Sequence, residues 1–80
     1  MALLISVAPA GEAWAVRSEA LDQELTFDRG GRAEAAAHEL AQRFALEGLM
    51  SEVHVFLRDG SLAGAFLHAP SRPEAAQPLN

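Results

Sequence analysis

Imidazole is the side chain most ready to move a proton or ligate a metal near neutral pH. The chain has three histidines, at positions 38, 54 and 68. His38-Glu39 opens like the helical His-Glu-x-x-His zinc motif, but position 42 is Gln, so the second ligand is missing. His38 therefore reads as a solvated helix residue. His54 and His68 fall on two neighbouring alternating segments. Joined with a carboxylate they would reach the minimum of three ligands, but metal sites need three or four that converge, and the sequence shows no such cluster. With no cysteine, thiolate metal sites and disulfides are excluded. No metal and no cofactor is expected.

Nucleophilic chemistry is equally thin. Cys, Lys and Tyr are all missing, and none of Ser6, Ser18, Ser51, Ser61 and Ser71 sits in a Gly-x-Ser-x-Gly elbow. Asp28-Arg29-Gly30-Gly31-Arg32 precedes a helix, where backbone N–H groups can receive an anion. It lacks the Gly-Lys-Ser/Thr ending of a phosphate loop and reads as a strand–helix connection. The expected catalytic set is empty: the chain is not an enzyme and no small-molecule substrate is evident.

Charge narrows the partners. Six arginines against 11 carboxylates give a net charge of −5. Nucleic-acid affinity comes largely from neutralised phosphates, so nucleic acid is disfavoured, and an anionic membrane surface with it. No apolar run approaches the ~18–20 residues of a membrane span. The opening apolar run has no basic flank and reads as a strand rather than a leader, so a cytoplasmic protein is expected.

These residues need elements to position them. Leu3, Ile5 and Val7 alternate onto one face of a first strand over 3–8. Pro9-Ala10-Gly11-Glu12 reads as a four-residue connection, and Trp14, Val16 and Ser18 share a face of the return strand. Leu25 and Phe27 face inward from a short third strand. Residues 33–47 are strong helix formers with an apolar stripe of Ala33, Ala37, Leu40, Ala41 and Phe44. Glu39 and Arg43 are spaced for an i,i+4 pair, and Gly48 fits the position just past the helix end. Residues 52–58 and 61–68 alternate about Asp59-Gly60, which reads as a two-residue hairpin turn. That register sets Leu57 opposite Leu62, Phe56 opposite Ala63 and His54 opposite Ala65. Val53, Val55, Leu57, Leu62 and Phe66 then face the core.

The expected fold is α+β, in the order β-β-β-α-β-β, with a single antiparallel sheet and one helix packed on one face. The domain covers 1–68, followed by a disordered Pro/Ala-rich tail over 69–80. Its core is lean: 17 of the 40 apolar residues are alanine. Small domains bury a limited share of their surface, so added burial through self-association would be useful.

Four landmarks occur in a fixed order: Trp14-Ala15-Val16, Thr26-Phe27, an Ala-rich helix over 33–44 and Arg58-Asp59-Gly60. In these the chain resembles a family of small bacterial domains of unknown function, over about residues 3–66. The resemblance implies no reaction, cofactor or catalytic residue. That family usually has Thr or Ser before the helix, where a side-chain oxygen caps it; here Gly30-Gly31 stands there. A looser, topological likeness is to antitoxins with a β-β-β-α-β core.

A sheet covered on one side only should be polar on the other. Instead His54, Phe56, Ala63, Ala65 and Leu67 fall on the outward face, with Ala15 nearby. This reads as a contact surface. The expected function is a non-enzymatic protein-interaction module, a homodimer or a partner of another protein, associating through the outward face or edge of the last hairpin. The alternative is a nucleic-acid-binding or antitoxin-like regulatory domain using the sheet or the Arg29–Arg32 loop.

Overall fold

The computed structural model describes residues 2–71. From residue 72 the expected tail lies outside the described residues. The elements are β1 (Leu3–Ala10), β2 (Ala13–Ser18), β3 (Leu25–Phe27), α1 (Gly30–Leu46), β4 (Ser51–Phe56) and β5 (Leu62–His68). The order along the chain is as expected.

The sheet is mixed, which corrects the expectation of a purely antiparallel one. Its strand order is β3-β2-β1-β4-β5, and β1 runs parallel to β4 with Leu3 beside Ser51 and Val7 beside Val55. The other neighbours are antiparallel. The helix is the reason. After three strands the chain stands at the far end of the sheet, and a 17-residue helix of roughly 25 Å carries it back. β4 therefore starts where β1 started and lies along its free side. Hairpin signals are local and do not report this crossover.

The first hairpin is tighter than its four turn-prone residues suggest. Ala10 pairs with Ala13, leaving a two-residue loop with Gly11 at φ +64. Glycine at the first loop position with φ above zero is the pattern of a type II′ turn. Pro9 is tolerated inside β1 because pairing with β4 reaches only to Val7.

Ala33, Ala37, Ala41 and Ala45 are the buried residues of α1. Their small side chains let the helix lie close to the sheet, while Leu40 and Phe44 pack at the margin of the core. Gly48, at φ +85, ends the helix. Its N–H donates to the Ala45 carbonyl at 3.0 Å and that of Leu49 to Phe44 at 2.8 Å, the pair of bonds that defines a Schellman cap. The spacing of Glu39 and Arg43 produces no ion pair. Among the described residues the pairs are Arg17–Glu24 and His54–Glu52.

Ile5, Val7, Val16 and Val53 are the large buried apolar side chains, flanked by Trp14, Leu21, Phe27 and Val55. Leu57, Leu62 and Phe66 were expected in this core and are exposed. The last turn explains Leu62. The Gly60 N–H donates to the Leu57 carbonyl, the Leu57 N–H donates to Ser61, and Gly60 alone has positive φ, at +89. This is a three-residue loop, Arg58-Asp59-Gly60, rather than a two-residue one. It shifts the register by one, so Phe56 pairs with Leu62. A bulge at Ala63 then restores Val55 opposite Gly64, His54 opposite Ala65 and Val53 opposite Phe66. Two one-residue offsets cancel, and Leu62 is left on the helix-free side.

Candidate functional site

The last strand is an edge strand with unusual chemistry. Leu62-Ala63-Gly64-Ala65-Phe66-Leu67-His68 contains no Asp, Glu, Lys, Arg or Pro. Most of it is exposed: Leu67 at 61%, Leu62 at 51% and Phe66 at 43%. These side chains leave both sides of the strand. By its pairing, Leu67 stands in a row with Glu52 and Leu4 on the helix-free face, and Ala65 in a row with His54 and Ser6. Phe66 lies opposite Val53 and points to the helix side.

Phe66 is exposed although it faces the helix, because α1 sits over β1, β2 and β4 and reaches β5 only at its margin. The aromatic ring folds back over Gly64. A Cβ added there would meet the ring at 2.9 Å, so glycine makes the room. His38 supplies the marginal helix contact. Its ring meets the Phe66 ring edge-on at 5.1 Å, and its Nδ1 lies 2.9 Å from Nε2 of His68. One of those nitrogens carries the hydrogen and donates, and the other accepts. His38 is therefore a half-buried latch between helix and edge strand, not the solvated residue expected. Ser51, opposite His68, is fully buried with its hydroxyl unpartnered.

His54 and His68 do not meet, because they lie on opposite faces of the sheet. His54 instead hydrogen-bonds Glu52 through Nε2 at 2.8 Å and sets its ring edge-to-face with Phe56. Of the five expected interface residues, His54, Phe56, Ala65 and Leu67 share the outward face. Ala63 is displaced into the bulge, and Leu62 takes its place opposite Phe56. Leu4, Leu62 and Phe66 complete the exposed apolar surface and were not foreseen. The bulge and the helix offset that expose the last two leave no local signal in the sequence. Ala15, expected near this face, is buried.

The glycine-rich connection serves packing. Arg29 caps α1 with extended backbone and no side-chain hydrogen bond, and a Cβ on Gly30 would sit 3.0 Å from the Trp14 ring. At the same end of the sheet Arg58 joins the two hairpin tips. Its Nη1 donates to the Gly11 carbonyl at 2.9 Å, and its guanidinium lies 5.5 Å from the Trp14 ring centre. Within that tip the Asp59 carboxylate accepts from the Ser61 hydroxyl and N–H, which lower its pKa below the ordinary 3.8.

Among the described residues no three His, Cys, Asp or Glu side chains converge as a metal site. No described helix is long and apolar enough to cross a membrane. No family model, curated protein or solved structure matches this chain.

Proposed function

We propose that this protein is a non-enzymatic interaction module that associates with itself through the last hairpin. One observation carries the reading: β5 is a seven-residue edge strand without charge or proline, apolar and exposed on both faces. Edge strands present unpaired backbone groups, and proteins that stay apart blunt them with charge, proline or brevity. The likeness to small bacterial domains of unknown function belongs to the same proposal and adds no reaction to it. Nothing favours the nucleic-acid alternative. Arg17 is paired with Glu24, Arg58 is engaged at the hairpin tips, and the chain carries a net charge of −5.

Sedimentation velocity across concentration tests the reading. The wild type is expected to dimerise, and Leu67→Lys to weaken the dimer about 100-fold while the far-UV spectrum stays unchanged, as loss of roughly 2–3 kcal/mol at a central contact implies. A wild type that stays monomeric at hundreds of micromolar, on the order of an affinity too weak to matter, refutes it.

A further inference from the structure

We infer that the partner of β5 is β5 of a second copy, paired antiparallel about a two-fold axis at Ala65, so that two five-stranded sheets join into one of ten strands. This rests on the self-association proposed above and specifies its geometry: edge to edge, not face to face.

The open face argues against stacking. Its middle carries the Glu52–His54 and Arg17–Glu24 pairs. A second sheet laid over them would strip water from charged groups without replacing it, which is costly. The edge holds no carboxylate and no guanidinium, so two copies with a net charge of −5 each can meet there. β5 is bonded to β4 along one side, and alternate residues on its free side present N–H and C=O groups that a new strand can satisfy.

The axis position follows from the strand itself. In an antiparallel ladder of a strand with its own copy, the axis falls on a residue, because only residues of like orientation pair. Ala65 is the midpoint of Leu62–His68. Centred there, Ala65 faces its own copy without steric bulk, and Phe66 faces Gly64 of the second copy. Each Phe66 ring already lies over a glycine, which is how aromatic side chains cover such gaps in strands. A two-fold axis perpendicular to the sheet keeps both helices on one side. Since α1 meets β5 only at its margin, the two helices leave a trough over the seam, and the two Phe66 rings occupy it. The same pairing carries Leu67 of both copies to the other side of the seam.

The chain has no cysteine, so a single introduced thiol reports the seam directly. Ala65→Cys and, on the middle of the open face, Ser6→Cys are oxidised mildly at a concentration where sedimentation gives a dimer. Directly opposed strand residues lie about 4.5–5.5 Å apart at Cα, within disulfide reach. Ala65→Cys is expected to cross-link at least tenfold faster than Ser6→Cys. Amide exchange of Gly64–Phe66 in the wild type is expected to slow as protein concentration rises. A dimer in which Ala65→Cys fails to cross-link, or Ser6→Cys links faster, overturns the edge geometry and leaves self-association standing. A wild type that never dimerises overturns both.

Discussion

The sheet ends in two edges built to opposite rules. β3 is three residues long, and Glu24 and Asp28 flank it directly. Glu24 is tied to Arg17 on the neighbouring strand. Any chain that tried to extend the sheet there would find a short ladder bordered by carboxylates. β5 is seven residues long, uncharged, and carries Leu62, Phe66 and Leu67 in the open. Both edges belong to one sheet under one helix, so exposure is not forced by the fold. The helix lies over β1, β2 and β4 and meets the unprotected edge only at its margin. A lean core of four large buried side chains makes this contrast consequential, because burial at β5 adds to a stability the core alone supplies sparingly.

The largest expected effect comes from placing the same charge on each edge. Leu67→Lys should weaken the dimer about 100-fold, whereas Leu25→Lys, on the already protected edge, should leave the dimerisation constant within about twofold. Leu25 is itself 41% exposed, so the change is tolerable in the fold. Equal weakening by the two substitutions in sedimentation would break the comparison. It would mean that a general loss of fold stability, not the edge, governs association.

A smaller effect should come from the latch behind β5. The strand is held on its inner flank by β4 and on the helix side by His38, through the His68 hydrogen bond and the Phe66 ring. His38→Ala removes both, and about 1 kcal/mol is the usual worth of such a hydrogen bond. The expected result is faster amide exchange across β5 in dilute, monomeric protein, by about fivefold, with exchange in β2 and β3 unchanged. Uniform acceleration across the sheet would show instead that His38 supports the whole fold.

Much of this arrangement was legible in the residues, and the losses have physical causes. Alternation placed Ile5, Val7, Val16 and Val53 inside, and the alanine stripe oriented α1, because burial imposes its period on the chain. Gly48 was legible because only glycine takes its backbone angle cheaply. The parallel β1–β4 pairing was not, since it depends on where a helix delivers the chain long after β1 has ended. Asp59-Gly60 signalled a turn but not its length, and that single residue moved Leu62 out of the core. His38 and His68 meet only because α1 crosses near β5, and nothing local to either residue announces it. The outward apolar surface was anticipated at Phe56, Ala65 and Leu67. The edge of the last hairpin was named beside that face, and the strand order shows that β5 is an edge of the sheet.

The smallest expected effect concerns the turn that leads into the exposed strand, and it asks whether turn and edge are separable. Asp59 is fully exposed, and its pKa is lowered first by the Ser61 hydroxyl and then by the Ser61 N–H. A carboxylate that titrates lower in the folded than in the unfolded chain stabilises the fold above its unfolded value, near 3.8. That contribution is lost as pH falls through the lowered native value. Asp59→Asn keeps an oxygen to accept from Ser61 but loses the charge. The wild type should therefore be the more stable of the two above pH 3.8, and the difference should vanish in stronger acid when both are followed by urea unfolding. A difference that persists unchanged into strong acid would place its cause in the shape of the amide, not in the charge. The dimerisation constants of the two proteins should agree at every pH where both are folded, because Asp59 lies in the loop and contributes nothing to the β5 ladder. A dimer that weakened with Asp59→Asn would tie the edge to its turn. The protected and unprotected ends of the sheet would then differ by more than the side chains along their strands.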